Sequence, residues 1–292
     1  MTTPACRTFI PLRDYDLAAT LTSGQSFRWR LRDGTWTGVI GSRVVRLTPA
    51  PEGIAVEASE PNSDWSWLTH YLQTHVELHS IVRTFPDDEP MRVSVAACHG
   101  LRLLRQEPWE CLASFIVSST KQIVQIQQIV ELLCERFGEP VAVPPGQPPM
   151  FAFPAADRIA RASESDLRAC KMGFRAPYVL DAARKVAEGK LDLRRLYSQS
   201  VEEAQAQFLE LSGVGEKIAN CVLLFAYGFQ QAFPVDVWVM KALRELYFPR
   251  RRPRPQRLRS FVSTHFGPNA GYAQQYLFHY MRTRRRPASR TA

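Results

Sequence analysis

The sequence predicts an α+β protein: an N-terminal antiparallel β-sheet domain with a flanking helix over residues 1–95, then an all-helical domain over residues 96–292. Three observations lead there: short aromatic and β-branched runs punctuated by turns, a switch to helical periodicity after Ser63, and a glycine hairpin between two helical segments late in the chain. The runs are SFRWRL, TWTGVI, RVVRLT and GIAVEA, ending near residue 60, with DG, GS and PEG between them. Turn residues at that spacing join neighbouring strands into hairpins, so the sheet is antiparallel.

From Ser63, SDWSWLTHYLQTH has an amphipathic helical pattern, and the PDDEP stretch after it reads as a solvated loop. PWECLASFIVSST opens the helical part. In KQIVQIQQIVELLCERFG, positions 123, 126, 129, 130, 133 and 137 are apolar at helical spacing, with Gly138 expected as the C-cap. Beyond the proline-rich VPPGQPP come FPAADRIARA, SESDLRAC, a KMGFR turn and APYVLDAARKVAEG, and then the hairpin unit. RPQRLRSFVSTHFG and NAGYAQQYLFHYMRTRR complete the domain, and RRRPASRTA is expected to be a frayed basic tail.

A chain of 292 residues, 45% hydrophobic, buries a substantial core and is not disordered. Its formal charge of +9 and pI near 9.5 favour a polyanionic partner such as nucleic acid. The six cysteines, at 6, 98, 111, 134, 170 and 221, include no CxxC pair, which argues against a zinc site or a secreted disulfide framework. An intracellular setting is expected, the cytoplasm or nucleoid in a bacterium and the nucleus in a eukaryote. There is no apolar run of eighteen residues and no signal-like N-terminus, so no membrane partner is expected.

The chemistry centres on LSGVGEKIANC, residues 211–221. Gly213, Val214 and Gly215 make a tight turn between VEEAQAQFLEL and EKIANCVLLFAYG, which is a phosphate-binding shape: free N–H groups at a helix start point outward where the backbone can approach a polyanion. Lys217 lies in the first turn of that helix. There, the positive helix end and partial burial both favour a neutral, nucleophilic amine, although a simple phosphate ligand is an equal reading of the hairpin alone. Asp236, in FPVDVW, stands at the mouth of the next helix, WVMKALRELY, either as a plain N-cap or as a carboxylate converging with Lys217 on one cleft.

LSGVGEKIANC together with PVD resembles the helix-hairpin-helix, Gly/Pro-Asp superfamily of DNA glycosylases, and the lysine marks its bifunctional branch. Three further stretches resemble the eukaryotic-type 8-oxoguanine DNA glycosylases: SGQSFRWR at 23–30, GLRLLRQEPWECLASFIVSS at 100–119 and GPNAGYAQQYLF at 267–278. The resemblance implies a sheet domain fused to the helical glycosylase core, acting as a monomer on double-stranded DNA and flipping the damaged nucleotide into a cleft. It implies that the Gly24 carbonyl accepts the N7 proton that 8-oxoguanine carries and guanine lacks. Gln274 would hold the Watson–Crick edge, with Phe278 stacking on one face of the base and Cys221 on the other. Lys217 would attack C1′ and form a Schiff base that permits β-elimination, Asp236 would stabilise positive charge on the sugar, and no cofactor or metal is needed. The iron–sulfur cysteine cluster of some related glycosylases is absent, since no cysteine follows Cys221.

Several positions depart from the family pattern. Thr120, Lys121 and Gln122 replace the asparagines that fill the gap left by flipping, and Gln125 replaces an arginine that reads the opposite cytosine. Arg175 matches the remaining arginine reader, Phe174 replaces a tyrosine wedge, Trp238 replaces a histidine beside the catalytic aspartate, and Ser212 replaces the hairpin proline. Cytosine preference opposite the lesion is therefore in doubt. The arginines within 250–259 and 282–290 are expected to add phosphate contacts. Two alternatives stand beside this reading: a glycosylase for another lesion, which would usually dispense with the lysine, and a non-enzymatic module that uses the hairpin as a phosphate clamp.

Overall fold

Five antiparallel strands form the N-terminal sheet in the order β1-β5-β4-β3-β2: β1 Cys6–Pro11, β2 Arg30–Arg32, β3 Thr35–Ile40, β4 Arg43–Ala50 and β5 Gly53–Ala58. The computed structural model describes residues 6–59, 64–144, 147–250 and 253–284. Register follows the buried face: Trp36 pairs with Leu47, and Leu47 with Val56. These side chains pack on Leu68 and Leu72 of helix α2, Ser66–Leu72.

The sheet differs from expectation at both ends. β1 has no counterpart among the expected strands; it is an edge strand pairing with β5, and it buries only Ile10, so its apolar alternation is weak. Of SFRWRL, residues 26–31, only Arg30 and Leu31 join the sheet, in β2. Phe27 leaves it for the helical core, and Trp29 turns into the sheet core, where its indole N–H donates to the Tyr71 hydroxyl at 3.0 Å. A short helix, α1 Leu17–Thr22, lies between β1 and β2 and is N-capped by Asp16, which accepts from the Ala19 N–H at 2.8 Å.

The remaining helices run as α3 Leu78–Val82, α4 Glu89–Ala97, α5 Pro108–Val117, α6 Ile123–Phe137, α7 Ala156–Ala160, α8 Glu164–Leu167 and α9 Ala176–Ala187. Then follow α10 Val201–Leu209, α11 Glu216–Val222, α12 Val237–Ala242, α13 Pro255–His265 and α14 Ala270–Thr283. A two-stranded ladder, β6 Pro140–Val141 with β7 Met150–Phe151, interrupts the helical part. Gly138 does follow α6, but in extended rather than left-handed conformation. Its place is set by close approach: a Cβ there would lie 2.1 Å from the Ala152 carbonyl.

α5 is apolar on every side and buried from Cys111 to Val117, so it forms the centre of the helical core. The boundary expected at residue 95 falls inside α4, whose Met91 packs in the helical core together with Leu78 of α3. The two cores meet along residues 101–106, where Leu103 enters the helical core and Leu104 the sheet core. PDDEP is not wholly a solvated loop. Asp88 caps α4 by accepting from the Met91 N–H at 2.8 Å, and it bonds His265 Nε2 at 2.7 Å and the Tyr247 hydroxyl at 3.2 Å, tying this segment to the C-terminal helices.

Candidate active site

The hairpin joins α10 to α11. Gly213 takes φ +76°, and a Cβ there would strike the Tyr178 ring at 2.4 Å, so only glycine fits. Gly215, the N-cap of α11, is extended, and the space where its Cβ would be is open. Val214 is buried beneath the turn. Ser212 has a use that proline lacks, since its N–H donates to Asp181 Oδ2 at 3.3 Å.

Lys217 is half-buried in the first turn of α11. Its Nζ donates to Ser118 Oγ at 3.0 Å and lies 5.0 Å from the centre of the Phe115 ring. Ser118 caps the C-terminal end of α5, so the central core helix positions the lysine. Asp236 caps α12: its Oδ1 accepts from the Trp238 and Val239 N–H groups at 2.9 and 2.8 Å. Burial pushes its carboxyl above the ordinary aspartate range, while the Val239 N–H, the Lys217 charge and the Trp238 N–H pull it back. One turn after Lys217, burial pushes the Cys221 thiol up to about 11, with Lys217 opposing and Asp236 reinforcing the shift. The thiol is therefore protonated at neutral pH and presents an apolar surface.

Gly24 sits in the turn after α1 at φ +74°, pressed so closely that a Cβ would lie 3.1 Å from Ile123 and 3.3 Å from Phe278. The turn is clamped from several sides. Gln275 of α14 donates to the Ser23 carbonyl at 2.8 Å, and the fully buried Gln25 accepts from the Leu104 N–H at 2.7 Å and donates to the Arg102 carbonyl at 2.8 Å. On α14, Gln274 is 3% exposed and its Oε1 is buried without a hydrogen-bond partner, while Phe278, one turn on, is half-buried against Gly24.

The remaining predicted residues gather around the end of α5 and the start of α12. Thr120 has φ +57°, an uncommon conformation for a β-branched residue. Arg175 is 2% exposed, and its Nη2 donates to the Ser119 carbonyl and to Thr120 Oγ1. Its guanidinium also lies 4.1 Å over the ring of Phe174, which is itself 55% exposed. Arg175 thus faces protein, because the loop carbonyl and hydroxyl supply the acceptors that its buried charge needs. Gln125 is also engaged: its Oε1 accepts from the Gln122 N–H at 3.1 Å and caps α6. Lys121 and Trp238 are half-buried, and the Lys241 ammonium lies 5.5 Å from the Trp238 ring. The 285–292 tail and the arginines at 251 and 252 lie outside the described residues.

Sequence reasoning missed Ser118 and Gln275, and it placed Arg282 only among the arginines expected to contact phosphate. Ser118 stands in a quoted motif but carries no mark of its partner, and Gln275 follows Gln274. Arg282 repeats the Gln274 and Phe278 spacing by a further turn, a signal that could have found it. Among the described residues no cluster of His, Cys, Asp and Glu is arranged to hold a metal ion, and no helix is long and apolar enough to cross a membrane.

A glycine hairpin with a lysine in its second helix, followed by an aspartate-capped helix, defines a class. A family profile described as HhH-GPD superfamily base excision DNA repair protein matches residues 113–266, and the chain belongs to that superfamily. Residues 7–112 match the profile described as 8-oxoguanine DNA glycosylase, N-terminal domain. The N-glycosylase/DNA lyase OGG1 of Arabidopsis thaliana is 31% identical over 90% of this chain and 76% of its own. The solved structure of MBOgg1 in complex with a low affinity DNA ligand superposes with a TM-score of 0.88 at 32% identity, covering 97% of this chain and 99% of that one. The Clostridium acetobutylicum 8-oxoguanine glycosylase/lyase, bound to double-stranded DNA with cytosine opposite 8-oxoG, gives 0.86 at 29% identity, with coverage of 97% and 99%.

Proposed function

We propose that this chain excises 8-oxoguanine from double-stranded DNA and cleaves the strand at the resulting abasic site, with Lys217 as the nucleophile. The observation that carries the reading is Lys217 in the first turn of α11, its amine held by the neutral Ser118 hydroxyl, within electrostatic reach of the Asp236 carboxyl that caps α12. Lys217 Nζ bonds to C1′ as the C1′–N9 bond breaks and the base leaves with a proton. The sugar ring opens to an imine; loss of a 2′ proton then breaks the C3′–O3′ bond and releases the 3′ phosphate, and water hydrolyses the imine to return the amine. Asp236 faces the positive charge that develops on the sugar, where a partly buried carboxylate acts more strongly than it would in water.

Recognition follows from donors and acceptors. The unpartnered Gln274 Oε1 suits the N–H donors of the Watson–Crick edge, and the Gly24 carbonyl is assigned the N7–H. Phe278 and the protonated Cys221 supply the apolar walls. Gly213, Val214, Gly215 and Trp238 are assigned to phosphate, and the exposed Phe174, with Thr120, Lys121 and Gln122, to the duplex around the extruded nucleotide, while Arg175 braces the Ser119–Thr120 loop from behind. One copy of the chain holds every group these steps need, so we assign it a monomeric action, with no cofactor required.

Borohydride trapping on duplexes with 8-oxoguanine opposite each of the four bases tests this. Wild type is expected to give a covalent adduct that Lys217→Gln abolishes and Asp236→Asn strongly reduces. Base release without an adduct would make Lys217 a phosphate ligand. Neither adduct nor release on any duplex would overturn the 8-oxoguanine assignment.

A further inference from the structure

Arg282 belongs to the C-terminal run of arginines, where a phosphate contact or a solvated charge is the ordinary expectation, yet its surroundings are those of the base pocket. It lies one turn after Phe278 and two turns after Gln274, on the same stripe of α14. Its guanidinium is 5.6 Å from the centre of the Phe278 ring, and its Nη2 donates to the carbonyl of Thr22, two residues before Gly24. Burial pushes its pKa down and the charge of Asp236 pulls it up, which places the cation within electrostatic reach of that carboxylate. Its Nε is buried with no hydrogen-bond partner. An arginine spent on one backbone carbonyl and one aromatic face is an uneconomical phosphate ligand but a good brace, since its planar fork holds two directions at once.

We propose that Arg282 is a positioning residue for lesion recognition, holding the Thr22–Gly24 turn in register with the Phe278 ring. The pocket wall that stacks on the base and the turn assigned to read N7 come from segments some 250 residues apart, and two side chains of α14 bridge them: Gln275 to Ser23 and Arg282 to Thr22. Arg282 also lies over the stacking ring. Without it, the turn and the Phe278 ring are held to each other only by their direct packing and by Gln275, a looser frame for the Gly24 carbonyl. Discrimination then suffers more than the chemistry at Lys217, which hangs on α5 and α11 instead.

The inference rests on the proposed function, and the test separates the two. Single-turnover excision from an 8-oxoguanine duplex is compared with cleavage of a preformed abasic site, which needs Lys217 but no base, in wild type, Arg282→Met, Arg282→Gln and Arg282→Lys. Arg282→Met is expected to slow excision about tenfold or more, as small misplacements do, and to leave abasic-site cleavage within about twofold, less than a misplaced reacting group would lose. Arg282→Lys, which can still donate to Thr22 and sit over the ring, restores much of the loss, and Arg282→Gln, which keeps a donor without the charge, falls between. In a Lys217→Gln background, Arg282→Met also narrows the affinity gap between 8-oxoguanine and guanine duplexes. Excision and discrimination unchanged in Arg282→Met would overturn the proposal. So would an equal fall in excision and abasic-site cleavage that lysine does not rescue, which would assign Arg282 to the fold or to Asp236. A wild type that cleaves abasic sites but leaves 8-oxoguanine in place would instead overturn the function on which the inference rests.

Discussion

The Ser118 hydroxyl stands between Lys217 and the end of α5: it accepts from Lys217 Nζ at 3.0 Å and donates its own proton to the Phe115 carbonyl at 2.7 Å. One hydroxyl therefore fixes both where the helix ends and where the amine points. A hydroxyl already donating to a carbonyl can only accept from the lysine, so the direction of the second bond follows from the first.

Ser118→Ala is expected to cost about 0.5–1.5 kcal/mol of stability, the worth of one ordinary hydrogen bond. It should slow imine formation about tenfold or more because the amine loses its orientation. Ser118→Thr keeps the hydroxyl and should retain most of the rate. Trapping time courses beside thermal melts check both; unchanged trapping in Ser118→Ala would remove Ser118 from the site.

Asp236 serves as helix cap and as charge, and two substitutions separate these roles. Asparagine caps as well as aspartate, so Asp236→Asn should stay within about 0.5 kcal/mol of wild type at pH 7 while losing most activity, whereas Asp236→Ala should lose about 1 kcal/mol more. Because burial raises the folded-state value, the folded chain holds this proton more tightly than the unfolded chain does. That stabilising contribution is complete below the ordinary aspartate range and disappears as pH rises through the elevated value. The stability of Asp236→Asn relative to wild type should therefore improve with rising pH across that window, as melts at several pH values would show. Activity, which needs the carboxylate, should fall as pH drops through the same window.

Gln274 keeps a buried oxygen without a partner in the free protein. Such a group costs about 1–3 kcal/mol until something donates to it. Gln274→Met, of similar size, should thus raise the melting temperature of the free protein and weaken binding to an 8-oxoguanine duplex. Measuring melting and affinity on the same preparations would catch the opposite signs; a variant that both melts lower and binds normally would contradict the assignment.

Thr120 is strained at φ +57°, and asparagine tolerates that conformation better. Thr120→Asn should therefore be neutral or stabilising, by up to about 1 kcal/mol. With Arg175 bonded to the Ser119–Thr120 loop and Gln125 occupied as a cap, excision opposite the four bases should differ by less than about tenfold in wild type, roughly what one weak polar contact discriminates. Excision rates on four duplexes decide this. Strong selection for cytosine would mean that Arg175 leaves its bonds when DNA binds.

Much of the fold was legible because its signals are local. The DG, GS and PEG turns marked β3, β4 and β5, and helical spacing marked α6 within a few residues. β1 escaped because an edge strand with one buried residue has little pattern to show. SFRWRL misled because Phe27 and Trp29 are drawn into two different cores, and that pull comes from residues far along the chain.

The same division holds at the site. Lys217 and Asp236 could be read from the chain because each stands at a helix start, where glycine, proline and a capping residue announce the geometry within one turn. The sequence by itself thus determined which groups lie at the two helix mouths, and through its resemblance where a base would be read. Only the tertiary structure decided that Lys217 meets a hydroxyl 99 residues away, that Arg175 is buried against its own loop, and that Arg282 reaches a turn 260 residues before it. Caps and periodicity act over a single turn, whereas those contacts exist only once the packed cores have brought α5, α11 and α14 together.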